Sequence, residues 1–270
     1  MKLINVAVVG ATGLVGRKML EVLEERRFPV GDLRLLASAR SAGRSLTYGG
    51  KEHTVRELGP ESFEGMRVAL FSAGASVSKE YAPFAVKSGA LVIDNSSAFR
   101  MDEGVPLVVP EVNPRDIGTH RGIIANPNCS TIQMVVALKP LHDRWKIKRL
   151  VIATYQSVTG AGKKGVNQLE SELAKEPGGE KKFPHPIAFN VLPQIDIFFE
   201  DGYSREELKM KDETRKILGD ESIRITATCV RVPVFGGHSE AVNVEFERPF
   251  DLAEVRNALA GTPGICVQDD

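Results

Sequence analysis

Short apolar runs punctuate the first half of the chain, at residues 3–9, 33–37, 68–71 and 91–93. Their apolar residues are consecutive rather than alternating, which marks strands buried on both faces and hence a parallel sheet. Helical periodicity occupies two of the gaps, from the glycines after the first run to about Arg26 and from about Val77 to Lys87. A further apolar stretch at 122–125 leads into a long helical pattern carrying Val135, Val136, Leu138 and Leu141. Beyond it the pattern changes. Residues 148–156 read as a long strand with apolar Leu150, Ile152 and Tyr155, 166–175 as a helix, and 176–186, dense in Gly, Pro and Lys, as an exposed loop. Residues 205–218 predict a charged helix with apolar Leu208, Met210, Ile217 and Leu218, and 252–259 a short closing helix. Strands at 223–234 and 241–246, joined by only a short connection, predict an antiparallel pair. The fold class is therefore α/β: a parallel-sheet domain over 1–128, then a second α+β domain over 129–270 with a mixed or antiparallel sheet.

The first strand ends in Gly10-Ala11-Thr12-Gly13-Leu14-Val15-Gly16, and a helix follows. Strand, glycine turn and helix in that order bring backbone N–H groups and a helix N-terminus against a pyrophosphate, the unit of a Rossmann-type dinucleotide site. The spacing is G-x-x-G-x-x-G rather than G-x-G-x-x-G, and glycines also serve a plain tight turn; the position after a clean strand favours the dinucleotide. At the end of the second strand an NAD site usually has an acidic residue for the ribose hydroxyls, whereas this chain reads Ser38-Ala39-Arg40-Ser41-Ala42-Gly43-Arg44. The Ser38 hydroxyl and Arg40 suit the 2′-phosphate of NADP, while Arg44 reads as a solvated loop residue. Ser72 and Gly74 follow the third strand, at the carboxyl edge where cofactors lie in such sheets. Arg100, after the fourth, is either an ordinary surface charge or an anion-binding group.

Composition narrows the class. Lys plus Arg and Asp plus Glu are 35 each, so bulk charge suggests no nucleic-acid partner. The three cysteines, Cys129, Cys229 and Cys266, are too widely spaced for a zinc site and too few for a disulfide framework, which fits a reducing cytoplasm; no apolar run is long enough to span a membrane. Cys129 stands in Asn126-Pro127-Asn128-Cys129-Ser130-Thr131, where a helix begins. Pro127 restricts Asn126, and Asn128 is suited to cap the helix. Helix-end N–H groups favour a thiolate, so a nucleophile with a pKa below that of a free thiol is one reading; a small buried hydrophobe is the other. Cys229 reads as strand packing and Cys266 as a bystander. The loop 157–162, with Gly160 and Gly162, has the freedom to approach a ligand.

Taken together, residues 126–133, 154–162, Pro186-Ile187-Ala188-Phe189-Asn190 with Leu192-Pro193-Gln194-Ile195-Asp196, Glu206-Glu207-Leu208-Lys209-Met210, and 229–234 leading to Gly237-His238-Ser239-Glu240 resemble the aspartate-semialdehyde dehydrogenase family over the whole chain. The resemblance implies NADPH-dependent reduction of L-aspartyl-4-phosphate to aspartate 4-semialdehyde through a cysteine thioester, on the route to lysine, methionine and threonine. It implies Cys129 as nucleophile, His238 as acid/base and Gln156 as the residue that orients substrate and thioester. Arg231 would hold the substrate α-carboxylate and Glu206 its α-ammonium, with Arg100, Asn128 and Lys209 around the phosphate. Thr12, Gly13, Leu14, Val15, Arg40, Ser41, Thr159 and Gly160 match positions that line the NADP site. It further implies a homodimer, or a dimer of dimers, through the second domain. Family members run several tens of residues further, so the chain is expected to stop short of a last strand and a final helix over the nucleotide domain, leaving apolar surface and a sheet edge open. N-acetyl-glutamyl-phosphate reductase shares the architecture and the thioester logic, and is disfavoured by the segments around Glu206 and Arg231. An inactive homologue that only binds dinucleotide or a partner chain is disfavoured by the presence of both Cys129 and His238.

Overall fold

The computed structural model describes residues 2–176 and 178–269. The chain divides into two compact units, Met1–Val108 with Arg115–Pro127 and Val109–Pro114 with Asn128–Asp270. In the first unit β1 (Ile4–Val9) leads through α1 (Leu14–Glu25) to β2 (Val30–Ala37); β3 (Ser45–Tyr48) and β4 (Lys51–Thr54) form a small antiparallel hairpin before β5 (Arg56–Glu57). Then come β6 (Val68–Phe71), α2 (Ala75–Lys87), β7 (Leu91–Asp94) and β8 (Ile123–Ala125). The six-stranded sheet runs β5-β2-β1-β6-β7-β8 with every pair parallel.

The consecutive apolar residues have a direct cause. Along β1, Val6 and Val8 join a core with Leu20, Leu35 and Ala37, while Ala7 and Val9 join the opposite one with Leu36, Phe63, Phe71 and Val92. All four β1 residues are fully buried, so neither face of the strand has room for a polar side chain. Phe63 and Phe71 stack with ring centroids 5.7 Å apart, anchoring the second core.

The second unit contains α3 (Cys129–Trp145), β9 (Ile147–Gln156), α4 (Lys163–Leu173), α5 (Arg205–Leu218), β10 (Arg224–Arg231), β11 (Ser239–Phe246) and α6 (Leu252–Ala260). Asn128 belongs here because it caps α3. The sheet order is β10-β9-β11, with β10 parallel and β11 antiparallel to β9. The expected β10–β11 antiparallel pair therefore does not form. β9 has fully buried Ile147, Leu150 and Ile152, and as the most apolar strand it takes the centre; neighbours in sequence end up on opposite sides of it. The connection between them holds Pro233 and a positive-φ Gly236, and it is spent on positioning His238 rather than on a tight turn.

α5 matches its expected span. Ser204 and Glu207 form a capping box at its start, and Gly219, in the left-handed region at φ 68°, ends it. The Ser204-x-x-Glu207 signal is present in the sequence, although the charged helix was legible without it. Among the described residues no helix is long and apolar enough to cross a membrane.

Candidate active site

Everything at this site starts from the first turn of α3. Asn128, in extended conformation, accepts at Oδ1 from the N–H groups of Ser130 (2.9 Å) and Thr131 (3.4 Å), so the helix begins at Cys129. Its own N–H donates to Glu213 Oε2 (2.6 Å) and its Nδ2 to Glu206 Oε1 (2.8 Å). Glu206 and Glu213 are seven residues apart on α5, so they share one face, and that face is buried. Two carboxylates thus clamp the cap that orients the cysteine.

Cys129 Sγ lies 3.2 Å from His238 Nε2. On the other side of the ring, Ser157 N–H donates to Nδ1 (3.1 Å). A backbone N–H can only donate, so in the neutral ring the proton sits on Nε2 and faces the sulfur. The loop holding His238 is tied down: Val158 N–H donates to Val234 O (3.0 Å), and the hydroxyls of Ser157 (2.6 Å) and Thr159 (2.8 Å) donate to Gly236 O.

Arg231, at the end of β10, is 5% exposed and donates through Nη1 to Ser157 O (2.7 Å). Gly160 separates it from His238: a Cβ there would stand 2.9 Å from Arg231 Nη1 and 3.1 Å from His238 Cε1, so only glycine leaves both side chains in place. Gln156 Nε2 donates to Glu206 Oε1 (3.1 Å), and Lys209 Nζ reaches Glu206 Oε2 (3.1 Å) and Asp196 Oδ2 (3.4 Å). The second unit thereby gathers Cys129, Asn128, Gln156, Thr159, Gly160, Glu206, Lys209, Arg231 and His238.

Charge around the sulfur departs from the expectation drawn from the helix start. Burial pushes the Cys129 thiol above its ordinary value and the Glu206 carboxylate adds to this; the Ser130 N–H and Arg231 oppose the shift without reversing it. Cys129 reaches the surface as a residue, but its sulfur is enclosed closely enough for desolvation to win. Burial and the Arg231 charge lower His238. Both shifts favour the neutral forms, a thiol beside an imidazole. Burial also works against the charged form of Glu206, but Lys209, Asn128 and Gln156 together hold it below the usual carboxylate range. Alkylation of Cys129 by iodoacetamide should accelerate with a midpoint above that of a free thiol, and Glu206→Gln should lower that midpoint. Rate against pH for the two proteins checks this, and a midpoint unmoved by Glu206→Gln would remove the carboxylate from the account.

The sequence reading missed Glu213, Ser157 and Glu240. Glu213 was readable from its seven-residue spacing to Glu206. Glu240 shares an inward-facing register with Val242 and Val244 on β11, so a carboxylate in an apolar alternation was the signal. Burial raises it to about 7, against the opposing hydrogen bond from the Gln133 amide 2.9 Å away. Ser157 reaches His238 and Arg231 through its backbone N–H and C=O, which no side-chain pattern reveals.

In the first unit the glycine turn is built for close approach. Gly10 has φ +83°, and a Cβ there would come 2.6 Å from Ser72 O; one on Gly16 would come 2.2 Å from Gly10 O. Gly13 precedes α1 without any side-chain cap, and Leu14 and Val15 stand 42% and 44% exposed in its first turn. Thr12 is half-buried beside them. Uncapped N–H groups over a turn bounded by Gly10 and Gly13 are a fit for a pyrophosphate. Ser38 and Arg40 are exposed after β2 and Ser41 is buried. Gly74, at φ +93°, precedes α2. Arg100 is buried and donates through Nη2 to Asn95 O (3.1 Å).

Residues 5–120 match the family described as semialdehyde dehydrogenase, NAD binding domain, and 138–270 match semialdehyde dehydrogenase, dimerisation domain. The aspartate-semialdehyde dehydrogenase of Aquifex aeolicus is 58% identical over 98% of this chain and 81% of its own length. Aspartate semialdehyde dehydrogenase II of Vibrio cholerae, solved in complex with ASA, superposes with a TM-score of 0.92 at 51% identity, covering 98% of this chain and 80% of that one. The Candida albicans enzyme with NADP has a TM-score of 0.77 at 28% identity, covering 96% and 76%. With both semialdehyde dehydrogenase domains matched in sequence order and 58% identity over 98% of its length to one of these enzymes, the chain belongs to the aspartate-semialdehyde dehydrogenase family of oxidoreductases.

Proposed function

We propose that the chain carries out the NADPH-dependent reductive dephosphorylation of L-aspartyl-4-phosphate to L-aspartate 4-semialdehyde, within the biosynthesis of lysine, methionine and threonine, as a homodimer. The observation that carries this reading is the 3.2 Å Cys129–His238 pair flanked by buried Arg231 and a charged Glu206. One cation and one anion at fixed places are the two handles that an α-amino acid requires. Arg231 takes the α-carboxylate and Glu206 the α-ammonium. Lys209 and the second amide hydrogen of Asn128 are assigned the phosphate, and Arg100 is assigned an anion-binding role.

The Cys129 sulfur attacks the acyl carbon as its proton passes to the departing phosphate, so hydrogen phosphate leaves and a thioester remains on the sulfur. Gln156, held by Glu206, orients that acyl group. When bound, NADPH supplies the hydride that reduces the thioester. His238, with its Nε2 proton directed at the reacting atoms, hydrogen-bonds the developing thiolate and then the hemithioacetal oxygen. Collapse releases the aldehyde and restores the thiolate.

The preference for NADPH is assigned to Arg40, on a turn that lacks the acidic residue of an NAD site. The test is phosphate-dependent oxidation of aspartate semialdehyde with NADP and with NAD, with N-acetylglutamate semialdehyde as the competing substrate. Turnover of the aspartyl substrate with NADP is expected to dominate. Arg40→Ala should narrow the NADP-to-NAD affinity ratio by roughly tenfold, the loss of one charge-assisted phosphate contact. A ratio that stays the same would take the 2′-phosphate away from Arg40.

A further inference from the structure

Arg231 makes one contact that its direct hydrogen bond does not explain. Its guanidinium carbon lies 5.9 Å from the ring centroid of Phe183, a residue only 9% exposed. Phe183 lies in a segment without helix or strand, and such a segment needs something to hold an aromatic ring in one place. α4 supplies it. Gln168, 3% exposed, accepts at Oε1 from the N–H groups of Lys182 (2.5 Å) and Phe183 (2.7 Å). Its Nε2 donates to Glu172 Oε1 (2.7 Å) and His185 O (3.4 Å). One turn on, Glu172 Oε2 accepts from the N–H groups of Ile187 and Ala188, each at 2.7 Å. Two polar residues at i and i+4 on one helix thus replace a missing strand partner for residues 182–188.

The ring is also set by contact. Phe183 packs in a cluster with Val158, Leu169, Ile187 and Leu192. A Cβ on Gly165 would meet Val158 O at 2.6 Å and the tip of the Phe183 ring at 3.1 Å, so the first turn of α4 closes on the ring only because residue 165 is glycine. An aromatic face within about 6 Å of a desolvated guanidinium attracts it electrostatically. With Nη1 already committed to Ser157 O, the ring restrains the remaining rotation of the planar head.

We infer that Phe183 is a positioning residue for the carboxylate-binding Arg231, and that Gln168 on α4 is the latch that seats it. This inference rests on the proposed role of Arg231. It places substrate affinity under the control of a segment that does not contribute to the chemistry. Loosening the ring should leave Arg231 charged but free to turn, which weakens a two-point grip on a carboxylate and leaves the steps at Cys129 intact.

The test compares the full chain with Phe183→Leu, with 3,4,5-trifluorophenylalanine placed at 183, and with Arg231→Lys. Fluorination keeps the ring nearly the same shape and removes its negative face, so it remains informative if Phe183→Leu folds poorly. Each protein is assayed with aspartate semialdehyde and with 3-aminopropanal, which lacks the α-carboxylate. Both changes at 183 should raise KM for the semialdehyde about threefold to tenfold. They should keep kcat within about twofold and leave kcat/KM for 3-aminopropanal unaltered. A semialdehyde KM that does not move in either variant, while Arg231→Lys raises it, overturns the positioning role and leaves the carboxylate assignment standing. Equal losses on both aldehydes would mean a general structural role and also overturn it. A KM unaffected by Arg231→Lys would remove the carboxylate assignment, and this inference with it.

Discussion

Cys129→Ser is expected to cost roughly 10³-fold or more in turnover, the scale seen when a nucleophile is removed from a covalent mechanism, while NADPH binding stays as it was. Three features of the site set that size. The hydroxyl ionises far less readily than a thiol, and the enclosed position that already pushes the Cys129 thiol up would act on an alkoxide more strongly still. An oxygen ester also accepts hydride less readily than a thioester. The geometry, in contrast, survives: the Asn128 cap, its two glutamate partners and the Ser157–His238 bond do not involve the sulfur. The change should therefore appear in kcat, with unfolding temperature and NADPH fluorescence titration close to the parent. Cys229 offers no substitute, because burial raises its thiol to about 12. Single-turnover acylation followed by peptide mapping checks the assignment. Acyl label on Cys229 or Cys266, or a Cys129→Ser rate near the parent's, would end the covalent scheme at this residue.

How far the sequence leads depends on whether a feature is local. The parallel sheet was legible because burial on both faces forces unbroken apolar runs, as β1 shows. The helix start at Cys129 was legible because a proline and an asparagine in order leave the backbone little choice. Strand order in the second sheet was not. Residues 224–246 contain two strands and a short connection, and nothing local reveals that β9 will come between them. The thiol's acidity failed for a related reason. Helix-end N–H groups are a local property and do lower it, but the opposing burial and the Glu206 charge come from residues far away in sequence. The bracing of the site by Glu213 and by the backbone of Ser157 is likewise tertiary, spanning 85 and 81 residues. Sequence named the groups that the proposed chemistry uses; it was silent on most of those that hold them.

Arg231→Lys is expected to raise KM for aspartate semialdehyde by one to two orders of magnitude, about 1.4–2.8 kcal/mol, with a smaller effect on kcat. Charge is conserved by this change, so a purely electrostatic role would predict almost no effect. What is lost is shape. The guanidinium donates one N–H to Ser157 O at 2.7 Å and still presents a planar edge to a carboxylate, whereas an ammonium that keeps the Ser157 bond has no second fixed donor to offer. Burial makes the loss larger: Arg231 is buried, so a carboxylate that surrenders one of its two bonds there recovers little of it from solvent. Gly160 narrows the options further, since its bare Cα allows Arg231 and His238 to approach from either side and a lysine of different reach would leave that space unfilled. The magnitude should depend on the substrate. Compounds keeping the α-carboxylate should show the full rise in KM, and 3-aminopropanal almost none. Glu206→Gln should give the complementary pattern, weakening substrates that carry the ammonium group. It should also free Asn128 and Gln156 from a charged acceptor, so its effect will spread into kcat, as that of Arg231→Lys should not. If Arg231→Lys lowered kcat as much as it raised KM, the arginine would be stabilising the reacting centre, and the carboxylate would have to be placed on another residue.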